Sequence, residues 1–208
     1  MTRNPGPMAP DTNVKVQRIC VFCGSSAGED SRYLDAASEL GAAIAQRGLG
    51  LVYGGSRIGL MGRLAQAVLD AGGEVTGVMP RPLMNRELVH AGLHDLVVTE
   101  SMHERKAEMA ARSDAFVAAP GGLGTFEEFF EILTWAQLGF HRKPCGILNA
   151  SDYYGPLTRM LDHAVREGFV QEQHRKMILV EDNPQVLLDR MGDYQPPEVP
   201  RWIEEDEI

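Results

Sequence analysis

Short apolar runs alternate with amphipathic stretches along most of this chain, and that alternation limits its possible folds more than any other feature. Several runs are apolar throughout, as strands buried on both faces of a sheet are. The apolar runs, which predict strands, lie at residues 18–23, 49–53, 74–79, 95–98, 114–119, 145–148 and 177–181. The stretches with helical spacing, which predict helices, lie at residues 31–47, 59–71, 101–112, 126–139, 152–167 and 184–191. This order predicts an α/β fold with a doubly wound, mostly parallel sheet flanked by helices on both faces.

The body of the chain is predicted to form one domain between two tails. Residues 16–194 show no internal repeat and no shift in composition, which favours a single domain. Residues 1–15 carry three prolines and no periodic pattern, so they predict a disordered N-terminal tail. Residues 195–208 contain a Pro-Pro pair followed by acidic side chains, and they predict an acidic C-terminal tail.

The charge of the chain argues against nucleic acid as a partner. The 208 residues carry a net charge of −9, of which −4 lies in residues 198–208. Such a surface repels a polyanion, although a single pocket can still be positive and accept a small phosphorylated ligand. No apolar run is long enough to span a membrane, and the N-terminus lacks the apolar segment of a signal peptide. We therefore expect a cytoplasmic protein without a membrane partner.

Cys20 and Cys23 form a C-x-x-C pattern that would suit a redox pair. However, the pattern lies inside a predicted strand, where three residues span roughly 10 Å and the two side chains point to opposite faces. A disulfide needs Cα atoms within about 7 Å. The strand geometry therefore predicts two reduced thiols, as is usual in the cytoplasm.

Three loops rich in Gly or Ser follow predicted strands and precede predicted helices, at residues 24–26, 54–59 and 120–125. Glycine allows a close approach of the backbone to a ligand, and amides at a helix N-terminus bind phosphate. The alternative is that these glycines only close tight turns. A P-loop is excluded because Leu60 and Met61 follow Gly59, and a dinucleotide fingerprint is excluded because Glu127 stands where its third glycine belongs. The pattern favours a mononucleotide or a sugar phosphate.

Two further patterns carry candidate chemistry. Thr125-x-x-Glu128 matches a capping box, but a Glu beside a sugar phosphate also has a use in N-glycosidic cleavage, where a carboxylate stabilises an oxocarbenium-like state. Arg105 and Lys106 are adjacent cations near the start of a predicted helix, a position that the helix dipole disfavours. They would suit an anionic ligand, or they would lie on a solvated face beside a Glu108–Arg112 ion pair.

Several of these motifs, in the same order, closely resemble the LOG family, the cytokinin riboside 5'-monophosphate phosphoribohydrolases. The resemblance rests on residues 120–128, Pro-Gly-Gly-Leu-Gly-Thr-Phe-Glu-Glu, on Arg105-Lys106, and on shorter segments between residues 17 and 192. It implies a Rossmann-like fold and hydrolysis of a nucleoside 5'-monophosphate to a free base and ribose 5-phosphate. It also implies a homodimer with sites near the interface. No metal and no cofactor are expected, and the scattered histidines give no zinc pattern.

The resemblance also implies roles for individual residues. Arg105 and Glu128 would be the catalytic pair. The substrate-binding residues would be Ser25, Gly54, Gly55, Glu87, Arg105, Lys106, Gly122, Leu123, Gly124, Thr125, Phe126, Glu127, Glu128 and Thr134. The chain departs from the family pattern at Leu123 and at Ser56-Arg57, which bears on its substrate preference.

The predicted helix 126–139 has two interpretations. Its apolar residues are Phe129, Phe130, Leu133 and Trp135. They suit either one more core helix or, as we favour, a dimer interface that also completes the pocket.

Three other functions are alternatives to hydrolysis. A lysine decarboxylase would need a lysine to form a Schiff base with pyridoxal phosphate, and Lys106 would be its candidate. A protein of the same fold that only binds a nucleotide or a molybdenum cofactor would have little use for a buried Glu128 beside an anion. An NAD-dependent oxidoreductase is disfavoured by the missing fingerprint.

Overall fold

A computed structural model describes residues 15–84 and 89–197, and it places seven parallel strands in one sheet. The strands are β1 Arg18–Phe22, β2 Gly50–Tyr53, β3 Val75–Pro80, β4 Asp95–Thr99, β5 Ala115–Ala118, β6 Cys145–Leu148 and β7 Ile178–Glu181. Their order across the sheet is β4-β3-β2-β1-β5-β6-β7. All seven predicted strands and the doubly wound α/β fold are confirmed.

Helices cover both faces of this sheet. They are α1 Arg32–Gln46, α2 Gly59–Asp70, α3 Met102–Ala111, α4 Leu123–Gln137, α5 Gly155–Arg166, α6 Glu172–Arg175 and α7 Pro184–Gly192. Side chains of β1 alternate between two cores, because Ile19 and Val21 pack with α1, α2 and α7 while Cys20 and Phe22 pack with α4. The apolar runs are therefore continuous because both faces of the central strands are buried.

Cys20 and Cys23 lie in different cores, on opposite faces of the sheet, and both thiols are free. Burial raises the pKa of both thiols well above the usual range. A thiol with a raised pKa forms little thiolate, so neither cysteine has the reactivity that a redox pair requires.

The structure differs from the predicted helices at three points. Helix α4 begins at Leu123 rather than 126, because Gly122 adopts an extended conformation and serves as the N-cap. Helix α5 begins at Gly155 rather than 152, because residues 150–152 form a 3₁₀ turn in which Ser151 is left-handed. The four-residue α6 was not predicted, since it is too short to show a helical period.

The predicted tails 1–15 and 195–208 lie outside the described residues except for Lys15 and residues 195–197, so the domain boundaries stay a prediction. Within residues 15–84 and 89–197, none of the helices combines the length and hydrophobicity needed to cross a membrane.

The strand order reverses direction between β1 and β5, and this switch point is where α/β sheets bind ligands. The loops that follow the two strands are joined directly, because the Gly24 amide donates to the Pro120 carbonyl at 3.0 Å. Gly59, at φ +58°, brings the start of α2 against the backbone of Ser25, where a Cβ atom would overlap the Ser25 carbonyl. The three glycine-rich loops therefore meet at one edge of the sheet.

Candidate active site

A pocket of about 340 Å³ opens at this edge. Its floor is the loop after β1, where Cys23, Gly24 and Ser25 lie. One wall is α3, which contributes Met102 and Arg105, and the opposite wall is the first turns of α4. The residues that α4 and its N-cap contribute are Gly122, Leu123, Gly124, Thr125, Glu127 and Glu128.

The N-terminus of α4 presents its backbone amides to this pocket. The first amides of a helix have no partner inside the helix, and here no side chain caps them. Thr125 is the third residue of α4 and Glu128 the sixth, so the capping-box alternative for this pair does not hold. The exposed amides and the positive end of the helix dipole together suit an anion.

Glycines 122 and 124 leave space at this helix start. A Cβ atom at either position would meet nothing within 4 Å, whereas a Cβ at Gly121 would overlap the Thr125 hydroxyl. Packing inside the described chain therefore requires glycine at 121 but not at 122 or 124. At those two positions a side chain would fill room that a ligand can use.

Arg105 and Glu128 form a buried ion pair between α3 and α4. Arg105 Nη1 lies 2.8 Å from Glu128 Oε1, and Arg105 Nε donates to the Val78 carbonyl at 3.0 Å. The two residues are only 8% and 9% exposed. Burial raises the pKa of Glu128, and the Arg105 charge opposes that shift without cancelling it. The pair sets a carboxylate and a guanidinium side by side in the pocket wall.

Gly54 makes room for this pair. A Cβ atom at Gly54 would overlap the Arg105 guanidinium, so glycine is needed there for packing. Gly55, at φ +80°, faces Met79 on β3 and is not one of the residues that line the pocket. The turn after β2 therefore supports Arg105 from behind.

Lys106 lies next to the pocket but directs its amine to α4. Its Nζ lies 2.5 Å from Glu127 and 2.9 Å from Glu131, both of them carboxylates. These carboxylates offset the unfavourable position of two cations in the first turns of α3. Farther along that helix, the predicted Glu108–Arg112 ion pair is present at 2.8 Å.

The remaining predicted residues are spread more widely. Glu87 lies outside the described residues. Phe126 packs its ring against Tyr154, with centroids 6.0 Å apart. Thr134 is exposed and donates to the Phe130 carbonyl, and at 1.5 Å per residue it lies about 14 Å along α4 from Thr125. Within one chain, Thr134 is therefore not brought to the pocket.

Two groups of residues at this edge were not predicted from the sequence. Leu83, Met61 and Met102 give the pocket an apolar side that no motif indicated. Tyr153 and Tyr154 reach the turn after β5, where their hydroxyls donate to main-chain carbonyls of Gly121 and Ala119. A pair of aromatic residues directly after a polar turn was the available signal.

Within the described ranges, no group of three or more His, Cys, Asp or Glu side chains lies close enough to share a metal ion. Arg57, one of the departures from the family pattern, lines a different surface pocket with Arg63 and His90.

Comparison with solved structures supports the same fold. The molybdenum cofactor carrier protein of Chlamydomonas reinhardtii aligns with a TM-score of 0.65 at 23% identity, over 86% of this chain and 99% of that chain. The molybdenum cofactor binding protein of Rippkaea orientalis aligns with a TM-score of 0.64 at 22% identity, over 85% and 96%. At such identities the likeness concerns the fold alone.

Comparison at the sequence level is more specific. A family model described as "Possible lysine decarboxylase" matches residues 61–191. The cytokinin riboside 5'-monophosphate phosphoribohydrolase LOG1 of Arabidopsis thaliana is 50% identical over 182 residues, which are 88% of this chain and 85% of that protein. The cytokinin riboside 5'-monophosphate phosphoribohydrolase LOG of Oryza sativa subsp. japonica is 47% identical over 182 residues, which are 88% of this chain and 75% of that protein. With half of its residues identical to LOG1 over most of both chains, this chain belongs to the LOG family of cytokinin riboside 5'-monophosphate phosphoribohydrolases.

Proposed function

We propose that this chain hydrolyses the N-glycosidic bond of N6-prenylated adenosine 5'-monophosphates, and of AMP, to release the free base and ribose 5-phosphate. The observation that carries the proposal is the buried Arg105–Glu128 pair, held 2.8 Å apart beside the uncapped start of α4. Relatives at 45–50% identity bear the corresponding enzyme name, which supports the same substrate class here.

Three kinds of group would bind the three parts of the nucleotide. The amides at the start of α4 would bind the 5'-phosphate, since that end of the helix is positive and carries no side-chain cap. Glu128, in the second turn of the same helix, would then face the ribose. The apolar side chains of Met102 and Leu123, exposed by 42% and 85%, would contact the base and its substituent.

The reaction needs charge stabilisation at the anomeric carbon. As the bond from C1' to the base nitrogen breaks, its electron pair leaves with the base and positive charge develops on the ribose ring. The Glu128 carboxylate stabilises that charge, and Arg105 holds the nucleotide and assists departure of the base. A water molecule then bonds to C1', and one of its protons ends on the base nitrogen. Charges that are already in position stabilise such a transition state more strongly in a partly buried site than they would in water.

The decarboxylase alternative is disfavoured by the surroundings of Lys106. A Schiff-base lysine requires an unprotonated amine, which a lowered pKa supplies. Burial acts in that direction on Lys106, but hydrogen bonds to Glu127 and Glu131 outweigh it and raise the pKa of the amine. Lys106 therefore remains a charged bridge between two helices.

A binding protein without hydrolase activity is the second candidate, because two solved structures of the same fold bear names of molybdenum cofactor proteins. The buried Glu128 argues against that function. A carboxylate beside an anion weakens binding through charge repulsion, so its presence is useful mainly in a reaction that develops positive charge.

An assay of base release distinguishes the hydrolase from the binding protein. The protein is incubated with AMP and, in parallel, with isopentenyladenosine monophosphate, and the products are separated by chromatography. We expect adenine and isopentenyladenine, each with an equal amount of ribose 5-phosphate, and the ratio of the two rates gives the base preference. Tight AMP binding without any free base would contradict the hydrolase and favour the binding protein.

The pH dependence of the rate provides a second test. Only the ionised form of Glu128 can stabilise a positive ribose, and burial raises the pKa of this carboxyl. As pH falls, kcat/KM for AMP should therefore decline tenfold per pH unit, with a midpoint above the usual glutamate value of about 4.3. A profile that stays flat to pH 4, in protein that remains folded by circular dichroism, would contradict this role.

We also propose a cytoplasmic homodimer. All three cysteines are free thiols, as a reducing compartment allows. Phe129 is buried in the core of the described chain, whereas Phe130, Leu133 and Trp135 are only half-buried on α4. A second copy that covers these three side chains would complete their burial.

A further inference from the structure

Two adjacent tyrosines hold the backbone of the turn that precedes α4. The Tyr153 hydroxyl donates to the Gly121 carbonyl, and the Tyr154 hydroxyl donates to the Ala119 carbonyl at 2.8 Å. Between them, the Pro120 carbonyl accepts from the Gly24 amide at 3.0 Å. Three consecutive carbonyl oxygens of this turn therefore each have a donor.

The tyrosines follow an unusual stretch of backbone. Ser151 and Asp152 have φ values of +52° and +58°, which residues other than glycine rarely adopt. The Asn149 side chain stabilises this stretch, because its oxygen accepts from the Tyr154 amide at 2.7 Å and its nitrogen donates to Asp152 at 3.2 Å. Strained backbone of this kind is concentrated at functional sites.

Aromatic contacts fix where the Tyr153 hydroxyl lies. The Tyr153 ring packs edge-on against Tyr154, with centroids 4.9 Å apart, and against Tyr33 of α1, with centroids 5.5 Å apart. Tyr154 in turn contacts Phe126 of α4. Two aromatic neighbours therefore hold the ring that carries this hydroxyl.

The orientation of one peptide group follows from this contact. A trans peptide points its C=O and its N–H in opposite directions. Because the Gly121 carbonyl is turned toward Tyr153, the Gly122 N–H points away from Tyr153. Gly122 lies between two pockets, of which only the smaller one, of about 280 Å³, is lined by Tyr153.

We infer that Tyr153 is a positioning residue, whose hydroxyl holds the Gly121–Gly122 peptide so that the amides at the start of α4 face the 5'-phosphate. The inference rests on the proposed function, because it takes the phosphate of a nucleotide as the ligand of those amides. A Cβ atom at Gly121 would lie 2.9 Å from the Gly24 amide, so the turn has little room to adjust in other ways. Rotation of this peptide is the motion that the hydroxyl prevents.

Tyr153→Phe tests the inference because it removes the hydroxyl and keeps the ring. The probe is ribose 5-phosphate, which carries the phosphate but has no bond left to hydrolyse, and its dissociation constant is measured by calorimetry. We expect binding to weaken roughly tenfold, as for one misaligned hydrogen bond to a charged group. KM for AMP should rise by a similar factor while kcat changes less. Tyr194→Phe, which removes the hydroxyl of a tyrosine outside both pockets, is the matched control and should leave both values unchanged.

The possible outcomes separate this inference from the proposed function. If the wild type binds ribose 5-phosphate but releases no base from AMP, the hydrolase fails while the calorimetry still tests Tyr153. If Tyr153→Phe lowers the melting temperature but leaves the ribose 5-phosphate affinity within twofold, Tyr153 has only a structural role and the inference is overturned. A wild type that does not bind ribose 5-phosphate would overturn it as well.

Discussion

Glu128→Gln is expected to lower the rate of base release from AMP about a thousandfold, which is the size of effect seen when a preorganised catalytic charge is removed. The substitution keeps the shape of the side chain and leaves an oxygen that can accept the hydrogen bond from Arg105, now made at 2.8 Å. It removes only the negative charge. The loss should therefore appear in kcat, because in the proposed site the amides at the start of α4 would still bind the phosphate.

The measurement is chromatographic detection of adenine under single-turnover conditions, together with calorimetry for ribose 5-phosphate. Glu108→Gln is the matched control, since Glu108 lies on α3 in an ion pair with Arg112 and is 39% exposed at its side chain. It should retain wild-type kinetics. If Glu128→Gln retains more than a tenth of the wild-type rate, Glu128 does not stabilise the ribose in the way proposed.

Arg105→Met is expected to reduce the free energy of unfolding by about 3–5 kcal/mol at neutral pH, because it leaves the buried Glu128 carboxylate without its cation. The Val78 carbonyl, which accepts from Arg105 at 3.0 Å, also loses its donor. Adding Glu128→Gln to this variant removes the uncompensated charge. The double variant should therefore be more stable than Arg105→Met alone.

The stability of the Arg105→Met variant should also depend on pH. Without the guanidinium, the pKa of Glu128 rises further, since Arg105 is the group that most lowers it. The folded state then favours the protonated carboxyl, so the stability deficit grows as pH rises from the pKa of Glu128 in the folded wild type to its higher pKa in the folded variant, and it stays constant above that.

Urea denaturation at pH 5 and pH 8 measures both effects. The control is Arg112→Met, which breaks another 2.8 Å Arg–Glu contact of α3 between side chains exposed by 37% and 39%. An exposed pair contributes at most about 1 kcal/mol, so this variant should stay close to the wild type. Equal losses for Arg105→Met and Arg112→Met would show that burial of the Arg105–Glu128 pair has no energetic consequence.

The strands were predictable because a strand buried on both faces appears in the sequence as an uninterrupted run of apolar residues. Run 145–148, for example, coincides with β6. The start of α4 was predicted three residues late because its N-cap is Gly122. The loop before it is also rich in glycine, so this glycine does not mark the helix start in the sequence. The order of the strands depends on packing between distant segments, which periodicity does not record.

The residues of the candidate site could be proposed from the sequence where one residue type suits a particular chemical role. Arg105 and Glu128 were both predicted, and their mutual contact became evident only when α3 and α4 were placed side by side. The carboxylate partners of Lys106 were missed for the same reason, since Glu127 and Glu131 lie 21 and 25 positions away along the chain. Tyr153 was missed because its partner is a main-chain carbonyl 32 positions away, and the aromatic pair after a polar turn does not indicate which carbonyl its hydroxyl contacts.

The open space at Gly122 and Gly124 has a consequence for how this protein can evolve. Because a methyl group would fit there without touching the rest of the described chain, folding alone imposes no demand for glycine at either position. If the pocket binds the nucleotide as proposed, selection for glycine at these two positions would act through the ligand, whereas at Gly121 it would also act through the fold. We therefore expect a descendant that no longer binds this substrate to lose glycine first at positions 122 and 124 and to keep it at 121.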